Sequence, residues 1–515
     1  MDRGHLALIL HAHLPFVRHP EHEEFLEEDW LFEAITETYI PLVEMMQRLV
    51  RDRVPFKLAM SITPPLIAML NDELLRVRYQ RHLDRLIDLA RREVARHREH
   101  ERLSELAHFY CDHLIATRDR YNEWNKDLLG QFRDLRDAGV LDILASAATH
   151  GLLPLLMPTR EAVRAQVLIG RDVYRETFGA EPSGFWLPEC AYTPGLEKIL
   201  QEANIRWFVL DAHGLVLGKP RPRHAIYAPC FTPEGPAAFA RDPDSSREVW
   251  SAESGYPGDP AYREFYRDVG FDLPLEPPRF TGLKYHRITG RLEEKDLYKR
   301  EWAENVARSH AEHFLESRRA QLKSLRHTME NPIVVMPFDA ELFGHWWYEG
   351  PLFLENFIRG AAEFGDEICL TSPGNYLTEN PTQGVVEPAA SSWGEGGYWG
   401  MWLDEKNAWI YPHLHSAARR MNRAVRTFGE NADQITDRTL KQLARELLLA
   451  QSSDWAFLIK TGTAKHYAAQ RTRNHIQRFN KLYDQLMAHS IDEQFLSDCE
   501  SRDNIFPKLE WRYYA

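Results

Sequence analysis

Seven short, nearly unbroken apolar runs separated by longer segments with helical spacing limit this chain more than any other feature. They are 5–10 (HLALIL), 56–62 (FKLAMSI), 142–148 (DILASAA), 184–188 (GFWLP), 206–211 (RWFVLD), 333–338 (IVVMPF) and 367–372 (EICLTS). Strands that read this way are covered on both faces, as in parallel sheets flanked by helices. Helical stretches at 34–50 and 160–178 lie between them. The alternation predicts a barrel or a doubly wound sheet. Because acids and histidines follow the ends of several different runs, the barrel is the better expectation.

Two segments break the alternation. Residues 70–135 are charged and helix-periodic, which predicts a helical insertion. Residues 215–300 carry KPRPRH, FTPEG, RDPDSS, GYPGDP and LPLEPP, a density of Pro, Gly and Asp that predicts a long loop system over the barrel mouth. From about 405 the pattern is wholly helical. The expected division is therefore a barrel over 1–404 and a helical domain over 405–515.

The net charge of −13, with no basic run interleaved with aromatics, argues against a nucleic-acid partner. The apolar stretch before His11 is too short for a membrane span and lacks a small-residue cleavage site, so the expectation is a cytoplasmic chain with no membrane partner. It is expected to be a monomer or small homo-oligomer. Cys111, Cys190, Cys230, Cys369 and Cys499 are odd in number and scattered, which fits neither a disulfide framework nor a structural zinc site.

Two carboxylates stand out. Glu189 follows the fourth run within GFWLPECAY, between Trp186 and Tyr192; taken alone, it could instead cap the helix after Pro194. Asp339 follows the sixth run within PFDAELFGHWW, with Glu341, His345 and two Trp close behind. Retaining glycosyl transfer needs one carboxylate to attack the anomeric carbon and a second, kept protonated, to donate to the leaving oxygen. Glu189 is the candidate nucleophile. Asp339, beside Phe338 and the like charge of Glu341, is the candidate acid/base.

His11 and His13 lie at i, i+2, on one face of a strand. With His150 they could complete a metal-ligand set, or present donors to sugar hydroxyls. Many of the 14 Trp fall beside Gly, Glu, Asp and His, as in SSWGEGGYWGMWL (391–403), an arrangement suited to stacking on sugar rings. Asp454, in QSSDW, is either a helix cap or a contact to the barrel.

Taken in order, HAHLP (11–15), ATHGLLPL (148–155), GFWLPECAY (184–192), PFDAELFGHWWYEGP (337–351) and WGEGGYWGMWL with NAWIY resemble glycoside hydrolase family 57. Residues 241–268 and 466–486 are most similar to its prokaryotic 1,4-α-glucan branching enzymes. The resemblance implies a (β/α)7 barrel with a helical insertion, an all-helical C-terminal domain, and no cofactor or metal. It implies an α-glucan substrate, Glu189 as nucleophile and Asp339 as acid/base. His11, His13, Trp30, His150, Trp186, His345, Trp393, Trp399, Trp402 and Asp454 are then expected substrate-site residues.

One departure follows. Efficient branching in this group is expected to use a Tyr on a loop that shields the glycosyl intermediate, and the Ala228–Ser254 loop holds no Tyr. Phe239 is the expected stand-in, and some hydrolysis is expected beside branching. The competing readings are an α-amylase-type endo-hydrolase, a metal-dependent deacetylase or mannosidase-like enzyme, and a non-catalytic glucan-binding protein.

Overall fold

The computed structural model describes residues 3–251, 255–275, 277–289 and 295–515. Ten strands are found among them: β1 (Gly4–Ala12), β2 (Leu58–Ile62), β3 (Leu141–Ser146), β4 (Gly184–Trp186), β5 (Trp207–Leu210), β6 (Cys230–Phe231), β7 (Ala237–Ala240), β8 (Ile333–Asp339), β9 (Ile368–Leu370) and β10 (Gly384–Val385). Seven of them run parallel in the order β7-β5-β4-β3-β2-β1-β8. The curled sheet closes through one parallel bridge, Arg241 to Val335, where the Asp242 N–H donates to the Val335 carbonyl at 2.8 Å.

The ring corrects the expected strand set. The sixth barrel strand is β7, inside the segment read as loop, whereas the run at 367–372 gives only β9, paired with the start of β1 at Gly4–Leu6. β9 shares an edge of β1 with β2, which takes Ile9–Ala12, so it extends the sheet below the ring without completing it.

Period-2 alternation fills the barrel. Ala7 and Ile9, Ala59, Leu144, Trp186, Trp207 and Val209, Ala237 and Phe239, and Ile333 and Val335 form one buried cluster, joined by Tyr376 and Leu377 of helix Pro373–Glu379. The alternate residues Leu6, Leu8 and Leu10 pack in the second cluster with residues of the surrounding helices. Continuing the inward parity beyond this apolar layer reaches His11 on β1, Asp211 after β5, Arg241 after β7 and Asp339 on β8. Sheet register pairs His11 with Asp339. The polar mouth is thus the next layer of the same alternation.

Helices Glu73–Arg96 and Glu101–Glu123 lie between β2 and β3, the first capped by Asp72, whose side chain accepts from Leu75 N–H at 3.0 Å. Helix Arg160–Phe178 stops at Gly179, which adopts φ 66°. The stretch read as one helix over 34–50 is helix Asp29–Ala34, a π turn Ile35–Tyr39 and helix Ile40–Arg51. Beyond 405 come helices Ile410–Phe428, Gln434–Ala450, Ser453–Thr461, Lys465–Met487 and Glu493–Arg502. The final turn, Trp511–Tyr514, returns to the barrel, where Tyr513 Oη donates to Asp172 at 2.6 Å. No helix among the described residues is long and apolar enough to cross a membrane.

Candidate active site

Glu189 sits on the turn that ends β4, with φ 62° and ψ 23°, a left-handed conformation costly for a residue with a Cβ. Cys190 and His150 share it, at φ 48° and 56°. Strain of this kind is held by surrounding contacts. Tyr192 and Ser391 exchange backbone hydrogen bonds at 2.8 and 3.0 Å, which fixes the Trp393 loop beside Glu189. Trp393 Nε1 then donates to Glu189 Oε2 at 2.8 Å, and Ser453 Oγ donates to Oε1 at 3.1 Å. Burial pushes the Glu189 carboxyl up to about 7, while these two donors favour its charged form.

Asp339 ends β8. Burial, then the charges of Glu341 and Glu189, hold its carboxyl well above the usual carboxylate range, with Arg241 opposing. Glu341 is also buried, which raises it to about 7; it accepts from Tyr39 Oη and from the His13 N–H at 3.1 Å. The site therefore holds two carboxyls in unlike surroundings: one with hydrogen-bond donors on both oxygens, and one raised by burial and like charge.

Three histidines and Asp454 form the floor. His11 Nε2 and His150 Nε2 are 3.0 Å apart, and burial lowers both far below the ordinary imidazole value, so they share a hydrogen bond as neutral rings. His13 is raised: burial opposes its charge, but the Asp454 carboxylate, 3.0 Å away, outweighs it. Asp454 in turn is lowered to about 2 in spite of burial. Asp454 is not a cap; it is the second residue of helix Ser453–Thr461, and it and Ser453 carry the helical C-terminal segment into the barrel mouth. Trp186 stacks on His11 with centroids 4.4 Å apart and meets Trp393 edge-on at 5.3 Å.

Ligand atoms of His13, His150 and Asp454 lie within 4.8 Å of one another. The two imidazoles, however, stack at 3.8 Å with 19° between their planes. Lone pairs of stacked rings run nearly parallel in their own planes and do not converge on one ion, so this cluster is built as a hydrogen-bonded ion pair rather than as a metal cradle.

The other expected residues are distributed differently. Phe239 is 1 % exposed inside β7, edge-on to Trp207 and Tyr376, and so does not cover the site from a loop. Residues 252–254 of the Ala228–Ser254 segment lie outside the described residues. Trp402 is buried beneath Gly394, where a Cβ would come within 2.4 Å of its ring, so it supports the Trp393 loop from below. His345 bonds Glu37 at 3.3 Å, in a separate charged group with Glu33, Arg263 and Lys284. Trp30 stands edge-on to Tyr467, and Trp399 neighbours Tyr398.

Sequence reasoning singled out Glu341 only for its charge beside Asp339, and did not nominate Ser453, Tyr39, Asp211 or Arg241. Arg241 pairs with Asp211 at 3.4 Å and lies over the Trp393 ring at 5.6 Å. With Trp250 and Ser246 these two border a cavity of about 320 Å³. Strand parity one residue past β5 would have found Asp211; Arg241 follows β7, which the sequence did not reveal.

The profile of glycosyl hydrolase family 57 matches residues 7–388, and that of the 1,4-alpha-glucan branching enzyme C-terminal region matches 413–514. The chain belongs to glycosyl hydrolase family 57. It is 34% identical to a 1,4-alpha-glucan branching enzyme of Thermococcus kodakarensis, over 98% of this chain and 77% of that protein. The alpha-amylase AmyC of Thermotoga maritima superposes with a TM-score of 0.93 at 42% identity, covering 100% and 99% of the two chains. A branching enzyme of Pyrococcus horikoshii superposes at 0.91 with 35% identity, covering 99% and 96%.

Proposed function

We propose that this chain is a 1,4-α-glucan branching enzyme that cuts an α-1,4 bond with retention, transfers the released segment to a glucose 6-hydroxyl, and loses part of the intermediate to water. The unlike pair at the ends of β4 and β8 carries the retaining chemistry, and the match of residues 413–514 to the branching-enzyme C-terminal profile supports transfer over hydrolysis. Glu189, with Trp393 and Ser453 donating to it, is suited to attack the anomeric carbon. Asp339, held high by burial and by Glu341, is suited to protonate the leaving oxygen.

In the first half-reaction a bond forms between Glu189 and C1 as the glycosidic C–O bond breaks, with the Asp339 proton passing to the leaving chain. In the second, Asp339 takes the proton from an incoming 6-hydroxyl, which displaces Glu189 from C1. His11, His13, His150, Trp186 and Trp393 line the donor site in this reading, and the cavity beside Arg241 and Trp250 receives the acceptor. Water completes the same second step as hydrolysis, and an acceptor that excludes it favours branching. As part of the same proposal, residues 1–404 form the catalytic unit, with the insertion at 70–135, and 405–515 the helical unit that supplies Ser453 and Asp454. The α-glucan is the expected partner.

Relatives with two different printed activities, branching enzyme and alpha-amylase, set the test. Incubation with amylose should yield more new α-1,6 linkages than new reducing ends, counted from anomeric proton signals. Reducing ends without branches would assign the chain to hydrolysis alone.

A further inference from the structure

Seven residues past Asp339, the chain holds an indole out into solvent. Trp347 turns inward and is 2 % exposed, whereas Trp346 is 52 % exposed. The segment between is not free to rearrange: Trp346 N–H donates to the Glu341 carbonyl at 3.1 Å, Trp347 N–H to Leu342 at 2.9 Å, and Gly344 N–H to Trp347 at 2.8 Å. Gly344 has φ 115° and packs so closely on the π turn that a Cβ would meet the Glu37 carbonyl oxygen at 1.8 Å. A rigid turn thus holds a large apolar ring at the surface, where burial would have stabilised it by about 1.5–3 kcal/mol.

The ring is one layer of a built stack. Phe265 lies against it with centroids 4.3 Å apart and 26° between planes, and Lys284 Nζ lies 4.1 Å from the Phe265 centroid. His345 stands edge-on to both rings at 5.2 Å. His345 and Glu33, each 15 % exposed at the side chain and 3.7 Å apart, bring polar atoms to the edge of the stack. Carbohydrate sites combine these two elements: a fixed aromatic face for the C–H side of a sugar ring, and polar groups at its rim for the hydroxyls. A stable protein–protein contact needs about 1,200–2,000 Å² in total, and this stack is a few rings edged by charge.

Position ties the stack to the proposed active site. The π turn Ile35–Tyr39 gives Tyr39 to Glu341 and Glu37 to His345, so one short element braces both ends of the loop from Asp339 to Trp346. Neither the acid pair nor the histidine floor uses Trp346.

We propose that the outer face of Trp346, stacked on Phe265 and edged by His345 and Glu33, is a second α-glucan subsite that holds a stretch of long chain away from the Glu189 and Asp339 cleft. The inference rests on the α-glucan reading given above. It gives the enzyme a preference for long chains that the cleft alone does not supply.

The test uses the full-length chain carrying Glu189→Gln, so that glucan is bound without turnover, and measures retardation in native gels containing amylose. Adding Trp346→Ala should weaken apparent affinity about 5- to 10-fold, the scale of one lost aromatic contact. Trp346→Tyr should keep most of it. Trp302→Ala, which removes another exposed indole, one with Lys299 Nζ over its ring at 3.7 Å, should change nothing. In the active protein, Trp346→Ala should raise KM for long amylose far more than for maltohexaose. Equal retardation with and without Trp346, or equal effects on long and short substrates, would overturn the subsite. So would sedimentation showing that Trp346→Ala dissociates a dimer, since the stack would then be a self-association face. A Glu189→Gln parent that is not retarded at all would defeat the α-glucan reading itself, an outcome distinct from loss of the subsite alone.

Discussion

Trp393 Nε1 donates to Glu189 Oε2 at 2.8 Å, across a separation of 204 residues in the chain. The bond favours the charged form of the proposed nucleophile against the effect of burial. Burial raises Glu189 to about 7, and this donor works against that rise by favouring the carboxylate. Attack requires the charged form, so activity should fall as pH drops through that value. In Trp393→Phe the carboxylate loses a charge-assisted bond worth about 1.5 kcal/mol, and the acid limb of kcat/KM against pH should move up by about one pH unit. An unmoved limb would separate Glu189 from that limb.

Glu341 acts on the opposite limb. Asp339 must be protonated to donate, and activity is lost as pH rises through its raised value. After burial, the Glu341 charge is the largest contributor to that rise. Glu341→Gln removes the charge while keeping an acceptor for Tyr39 and His13, so the alkaline limb should shift to lower pH. A shift to higher pH would contradict the assignment of Asp339 as the acid.

Asp454 reaches the barrel from the helical C-terminal segment and, against burial, favours the charged form of His13. Asp454→Asn keeps the shape but removes the charge. A drop in kcat/KM of about 10- to 100-fold is expected, matching about 1.5–3 kcal/mol for a charge-assisted bond, with circular dichroism unchanged. Full activity would show that the reaction does not use the Asp454 charge.

Gly344 tests the loop after Asp339. Its φ of 115° and the 1.8 Å contact that a Cβ would make with the Glu37 carbonyl leave no room for a side chain. Gly344→Ala should destabilise the protein by about 3 kcal/mol or more in urea unfolding, because both strain and backbone displacement follow. A cost below about 1 kcal/mol would show that the turn relaxes easily.

Much of the barrel was legible because its strands are continuous apolar runs with acids and histidines at their ends. β7 escaped because three of its four residues are Ala, directly after Gly235 and Pro236, so composition reads as loop; Phe239 was misplaced with it. The run at 367–372 has strand composition but pairs only at the base of β1. Glu189, Asp339, His11, His13, His150 and Asp454 were nominated because each follows a strand or stands among polar residues within an apolar pattern. Ser453 was visible only as part of the QSSDW group around Asp454, and Tyr39 gave no such signal. One depends on a helix start docking against His150, and the other on a π turn whose register periodicity does not reveal.

The central claim is that Glu189 becomes covalently bonded to the donor sugar. Asp339→Asn protein, given a maltosyl donor with a fluoride leaving group, needs no acid for the first step and lacks the base for the second, so the intermediate should accumulate. Mass spectrometry of the digested protein should then find one glycosyl adduct, on the peptide containing Glu189. An adduct on another carboxylate, or a product of inverted anomeric configuration with no adduct, would contradict the account.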